Sequence, residues 1–152
     1  MKTLSNFQKI SENIYQSSTD SIILPRRATV GSAGYDFFAP CDISLAPNET
    51  ALVKTGIRAF IENGYVLMLF PRSGLGFKYR LRLDNTVGII DSDYYFSSNE
   101  GHIIVKLTNC GDKPLFIQKS TAFCQGIFLP FGITLNDDAD GIRDGGFGST
   151  EK

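Results

Sequence analysis

From residue 21 onward the chain is punctuated too often for long helices. Short runs rich in Val, Ile, Leu, Phe and Tyr recur at 22–24, 35–39, 52–61, 65–70, 87–90, 103–107, 115–117 and 123–130. Turn-forming clusters separate them, among them Ala39-Pro40, Ala46-Pro47-Asn48, Glu62-Asn63-Gly64 and Asn109-Cys110-Gly111-Asp112. Strand formers at this spacing predict an all-β barrel or sandwich rather than alternating strand–helix units. At most one short helix is expected, after Arg72-Ser73-Gly74. The first twenty residues are ambiguous. Phe7, Ile10 and Ile14 share a helical face, yet 10–15 reads equally well as the start of a strand, and Ser17-Ser18-Thr19-Asp20 reads as a connection.

A chain of 152 residues is one domain with room for a real core. Its 15 Lys and Arg against 16 Asp and Glu leave no basic surplus to hold a nucleic-acid polymer. Cys41, Cys110 and Cys124 are odd in number and scattered, which argues against a disulfide framework or a zinc knot and fits a reducing, cytoplasmic setting. His102 is the only histidine, so sites needing several imidazoles are excluded; it is expected at the surface, at a strand start. No apolar run approaches the roughly 20 residues a membrane helix requires. The first twenty residues also lack the continuous apolar centre of a signal peptide.

Four polar constellations stand out. In Asn85-Thr86-Val87-Gly88-Ile89-Ile90-Asp91-Ser92-Asp93-Tyr94, Gly88 inside a strand pattern suggests a bulge or the close approach of another group. Side chains alternate along a strand, so Ile89 and Asp91 share a face. An apolar residue beside a carboxylate suits the lip of a pocket; an edge hairpin turning at Asp91-Ser92-Asp93 is the other reading. Pro71-Arg72-Ser73-Gly74-Leu75-Gly76 supplies a guanidinium fork, a hydroxyl and open amides at a helix start. These are phosphate-binding parts, or a plain turn. Gly31-Ser32-Ala33-Gly34-Tyr35-Asp36 sets a carboxylate just after a glycine turn, where Asp36 either holds magnesium through water or caps the turn. Residues 136–152 change texture: acidic first, then Arg143 and Phe147 among glycines and hydroxyls. Such a segment is a frayed end, or an arm that orders over a ligand with Arg143 and the Gly148-Ser149-Thr150 run on anionic oxygens.

Taken together and in order, these stretches resemble the five motifs of the homotrimeric dUTP diphosphatase (dUTPase) family. The likeness runs from Ala33 to Thr150, with Gln125 as the key residue of the fourth motif. It implies a distorted jelly-roll β-barrel core over 1–135 and a flexible C-terminal arm over 136–152. It implies a homotrimer with shared active sites and, as the reaction, hydrolysis of dUTP to dUMP and pyrophosphate with Mg2+, which removes dUTP and supplies dUMP for dTTP synthesis. By the resemblance, Asp91 holds and deprotonates the attacking water. The Asn85 amide and the backbone of Gly88, Ile89 and Ile90 read uracil, and Tyr94 packs on deoxyribose and excludes a 2′-hydroxyl. Arg72, Ser73, Gly74 and Gln125 grip phosphates, and Asp36 reaches magnesium through water. Phe147 stacks on uracil while Arg143, Gly148, Ser149 and Thr150 close on the γ-phosphate. The chain departs from the pattern in three places. Residues 95–101 form a longer step, Ala122 and Cys124 replace an Arg and an Ala, and Arg143 sits one residue closer to Gly145-Gly146. Two rival readings are dCTP deaminase on the same fold, and a phage-type dUTPase that also controls a protein partner through its nucleotide state, with 95–101 as the place to look.

Overall fold

The computed structural model describes residues 5–143, 145 and 146. In chain order the first strands are β1 (Ser5–Lys9), β2 (Arg26–Arg27), β3 (Tyr35–Phe38), β4 (Ile43–Leu45), β5 (Thr50–Lys54) and β6 (Ile57–Ile61). Then follow β7 (Tyr65–Pro71), β8 (Leu81–Leu83), β9 (Gly88–Ile90), β10 (Ile104–Asn109), β11 (Leu115–Ile117) and β12 (Ala122–Pro130). The largest sheet has the order β2-β3-β12-β7-β9; a second has β5-β10-β8, and β1-β6 and β4-β11 form ribbons. Every pairing is antiparallel. The all-β expectation therefore stands, with one helix of seven residues, α2 (Ser73–Tyr79), where a short helix was anticipated. A single turn, α1 (Glu12–Tyr15), and a 3-10 turn at Ser92–Phe96 accompany it. No helix among the described residues is long and apolar enough to cross a membrane.

Alternation builds the core. In β6, Ile57, Ala59 and Ile61 are buried; in β10, Val105, Leu107 and Asn109 are. Apolar side chains every second residue put one face of each strand inward. Phe37, Leu67, Leu107 and Phe123 sit at the centre, almost fully buried. Phe7 closes one end: its ring lies 5.4 Å from Tyr35, 5.5 Å from Phe37 and 5.4 Å from Phe128, all tilted or edge-on. Those are the favoured aromatic geometries.

Several expectations are corrected. Residues 22–24 form no strand; Ile22 drops into the core while Ile23 and Leu24 face outward before Pro25. The run 52–61 is two strands, because Gly56 turns the chain at φ +74°. Thr55 holds that corner, its hydroxyl donating to Ile103 O at 2.6 Å and accepting from Ile57 N at 3.1 Å. The helical spacing of Phe7 and Ile10 is overridden by the edge of β6, on which β1 docks from Ser5↔Ile61 to Lys9↔Ile57. The turn expected at Asp91-Ser92-Asp93 is instead the start of the 3-10 helix.

His102 is the plainest correction. It is only 3% exposed, because its ring fills the β5–β6 corner and its Nε2 accepts the Gly56 N–H at 3.0 Å. The edge of the Tyr15 ring packs on it at 6.0 Å. Burial, helped by the nearby Lys54 charge, lowers its pKa to about 4. A base whose folded pKa is depressed binds its proton more readily in the unfolded chain. Between about pH 6.5 and 4 the unfolded state therefore holds one proton more, and stability falls with falling pH by up to about 1.4 kcal/mol per pH unit. Urea unfolding at pH 7 and pH 5 is expected to show that loss in the wild type and less of it in His102→Gln, which keeps an acceptor for Gly56 N but cannot titrate. Parallel curves for the two proteins would show that His102 does not carry the effect.

Candidate active site

The hairpin from β8 to β9 is built under constraint. Thr86 at its tip takes φ +68°, a left-handed conformation that β-branched residues rarely adopt. Thr86 N donates to Leu83 O at 2.9 Å and Val87 N to Asn85 O at 2.7 Å, so the tip is closed by its own backbone. Gly88 pairs with Leu69 across β9 and β7, and a Cβ there would lie 3.0 Å from the Leu69 Cβ. Close backbone approach is thus the reason for the glycine.

This hairpin forms one wall of a pocket of about 630 Å³, within the range of small-molecule sites. Asn85, Gly88, Ile89, Ile90 and Tyr94 line it as the sequence suggested. Asp84, Leu52 of β5, and Ile104, Val105 and Lys106 of β10 also line it, and no sequence signal singled those out. The lining is mostly aliphatic, with Lys106 and Asp84 paired at 3.4 Å as a charged edge.

Tyr94 is the only buried residue of the 3-10 turn. Its hydroxyl donates to His102 O at 2.6 Å and accepts from Asn99 Nδ2 at 2.9 Å. Burial raises its pKa, so the phenol is neutral. Asp91 follows Ile90 and keeps about half of its side chain exposed. It accepts a 2.6 Å hydrogen bond from Arg143 Nη2. Arg143 Nε lies 2.9 Å from Asp93 Oδ1, an ion pair rather than an aligned hydrogen bond. The guanidinium stands 5.8 Å from the centre of the Tyr94 ring, and Gly146 lies so close to that ring that a Cβ would be 2.9 Å from its Cε2. The tail therefore reaches the pocket, with Arg143 in its lining and on the candidate base. Phe147, Gly148, Ser149 and Thr150 lie outside the described residues.

The phosphate-gripping candidates gather elsewhere. In β12, Gln125 faces Asp36 of β3 on one side and Phe70 of β7 on the other. Its Nε2 donates to Pro71 O at 3.4 Å. Arg72 Nε pairs with Asp36 Oδ1 at 3.2 Å and immediately precedes α2, whose first residues, Ser73 and Gly74, are exposed. A side chain at Gly34 would push the Gln125 amide aside. Cys124 is fully buried beside this row, and burial pushes its thiol pKa up, far from the thiolate. Among the described residues no three His, Cys, Asp or Glu gather into a metal cage.

None of Asp36, Arg72, Ser73, Gly74 and Gln125 lines the pocket. The register explains this. Ile90 faces Leu67 in the β7–β9 pair, so Asp91 continues toward the start of β7 while Arg72 follows its end. At about 3.3 Å per residue the two are separated by roughly 20 Å. One chain therefore carries two separate groups of candidates, the pocket with its carboxylate and the polar row of Asp36, Arg72 and Gln125. The signals that would have revealed Asp93, Asn99 and the β10 wall are absent from local patterning, because each depends on which distant element lies opposite.

A family model described as dUTPase matches residues 20–151. A deoxyuridine 5'-triphosphate nucleotidohydrolase of Lactococcus lactis subsp. lactis (strain IL1403) is 42% identical over 132 residues, 85% of this chain and 88% of that one. One of Escherichia coli O9:H4 (strain HS) is 40% identical over 133 residues, 82% of this chain and 85% of its own. The crystal structure of a dUTPase from Streptococcus mutans superposes with a TM-score of 0.72 at 36% identity, covering 84% of this chain and 97% of that chain. The Staphylococcus bacteriophage 80alpha dUTPase with dUPNHPP, 22% identical with a TM-score of 0.71 over 99% of this chain and all of its own, shares the fold.

The two ion pairs on Arg143 help hold the tail at the pocket, beside the bond from Ser97 Oγ to Gly145 O at 3.5 Å. Half-exposed pairs of this kind contribute about 1 kcal/mol together. Asp91→Asn/Asp93→Asn is expected to speed tryptic cleavage after Arg143 by about fivefold, read by mass spectrometry, with cleavage in the core unchanged. An unaltered rate would show that the tail is held by something else.

Proposed function

The chain belongs to the dUTPase family, and on that basis we propose that it hydrolyses dUTP to dUMP and pyrophosphate. The observation that carries the reading is Asp91 at the rim of the pocket walled by Asn85, Gly88, Ile89, Ile90 and Tyr94. A mostly apolar pocket with Asn85 and the β9 residues in its lining suits a flat pyrimidine read by hydrogen bonds. The tight contact of the glycine at 88 with Leu69 leaves the hairpin little freedom to widen for a 5-methyl group. Tyr94 suits the sugar. Asp91, acceptor-only when ionised, orients a water toward the α-phosphorus and takes its proton; the electron pair of the scissile P–O bond leaves with pyrophosphate. No covalent nucleophile is needed, which agrees with a buried, protonated Cys124 and a buried His102.

The phosphates require the second group. Arg72, Ser73, Gly74 and Gln125 supply donors for anionic oxygens. Magnesium characteristically binds through one or two carboxylates, waters and substrate phosphates, and Asp36, a single partly buried carboxylate, fits such an outer role. When bound, the ion offsets charge on the triphosphate. The roughly 20 Å between Asp91 and Arg72 in one chain exceeds what one nucleotide's phosphates span, so the site is completed between subunits of a homotrimer. Residues 136–142, exposed throughout and free of helix and strand, serve as the start of an arm that carries Arg143 and the terminal Gly-Ser-Thr run onto the ligand. Arg143, bound to Asp91 without substrate, exchanges that carboxylate for the γ-phosphate when substrate enters.

Two measurements test this. With dUTP, dCTP, dTTP and UTP as substrates, pyrophosphate is expected from dUTP alone; ammonia from dCTP would replace the reading with a deaminase. Asp91→Asn is expected to lower kcat by about 10²–10⁴-fold, as for loss of a general base, while a non-hydrolysable dUTP analogue still binds. Wild-type turnover in that variant would remove Asp91 as the base. Light scattering is expected to give three times the 16.7 kDa chain mass.

A further inference from the structure

The polar groups of the 95–101 loop are specifically bonded. On the outer side it is tied to the amino-terminal segment. Tyr95 Oη donates to Gln8 Oε1 at 2.6 Å, and Glu100 accepts from Ser11 N at 2.8 Å and Ser11 Oγ at 2.7 Å. Arg58 donates to Tyr95 O at 2.7 Å and lies 3.6 Å over its ring. On the inner side Asn99 meets the hydroxyl of Tyr94, a pocket-lining residue, and Ser97 Oγ donates to Gly145 O at 3.5 Å.

The orientation of that side chain is determined. Gly101 N donates to Asn99 Oδ1 at 3.1 Å, so the amide nitrogen faces the other way, where it meets Tyr94 Oη at 2.9 Å. The phenol's own proton is committed to His102 O. Tyr94 thus has one bond given and one received, both from groups fixed by backbone. Gly101 adopts φ +71°, and a Cβ there would lie 2.7 Å from Tyr95 Cα and 2.8 Å from Tyr94 O. The end of the loop therefore presses directly on the backbone that carries the tyrosine.

We infer that Asn99 is a positioning residue for sugar discrimination: it holds the Tyr94 ring still, so that the pocket wall cannot yield to a ribose 2′-hydroxyl. The inference rests on the reading that Tyr94 faces the sugar. Rejecting one added hydroxyl by shape works only against a wall that does not move; a ring free to tip opens the few ångströms required. Tyr94 is buried at one end and bonded at its hydroxyl, and Asn99 is the only side chain bonded to that hydroxyl among the described residues. The loop brings this amide to the phenol.

The experiment compares kcat/KM for dUTP and UTP in the full-length protein. Asn99→Leu removes the bond. Asn99→Asp is isosteric and keeps the acceptor for Gly101 N while losing the donor to the phenol, so it carries the test should the leucine variant fold poorly. In either variant the dUTP:UTP ratio is expected to fall by about tenfold, the size of one lost hydrogen bond to a buried group, chiefly through faster UTP turnover. Tyr95→Phe, which cuts only the outer tie to Gln8, is expected to keep the wild-type ratio. In the Tyr94→Phe background, which has no hydroxyl to hold, Asn99→Leu is expected to change the ratio no further. An unchanged ratio in the Asn99 variants, an equal fall in Tyr95→Phe, or full additivity with Tyr94→Phe would overturn the inference. A wild-type protein that hydrolysed both nucleotides alike would instead remove the reading on which it stands.

Discussion

One nine-residue strand, β12, paired along both edges, sets the positions of nearly everything described above. Its register against β3 puts Gln125 opposite Asp36, and its register against β7 puts Cys124 opposite Pro71. Gly126 lets the sheet close: a Cβ there would stand 2.8 Å from Leu67 and 3.0 Å from Phe37, two of the most deeply buried side chains. A shift of one residue would turn every side chain of the strand to the opposite face. The polar row of Asp36, Arg72 and Gln125 and the packing of the core are therefore one decision.

The same sheet keeps the two groups apart. β7 lies between the polar row and the pocket hairpin, and its length separates Arg72 from Asp91. Arg72 and its partner Asp36 therefore line no part of the pocket, whose cations are Lys106 and Arg143. Arg143 provides the carboxylate with a counter-charge. The pocket is therefore not left with uncompensated acid at its mouth, as Asp91 and Asp93 both find the same guanidinium.

Much of this was legible in the sequence, and the limits have physical causes. Strands such as β7, β10 and β12 are long enough to show alternation, and a glycine inside a strand pattern pointed to the close approach found at Gly88. The three-residue strands β4 and β8 are too short to show any period, and β1 carries apolar spacing that suits a helix until β6 offers an edge. His102 looked like a surface residue because nothing within a few positions of it reveals the Gly56 amide, 46 residues away, that its ring accepts from. The pocket candidates at 85–94 were found because they are contiguous. Its far wall on β5 and β10, and the Asn99 bond, were not, because they exist only once distant segments meet. The polar candidates from Asp36 to Gln125 came together as a group, although in a different place from the pocket.

Cys124 shows a further consequence of this architecture. Peroxide and similar oxidants attack thiolates that solvent can reach. The sulfur next to Gln125 is neither ionised nor accessible, whereas Cys41 lies open at the surface. Under oxidative stress the damage falls first on a peripheral sulfur, and the strand that carries Gln125 rides out the insult chemically intact.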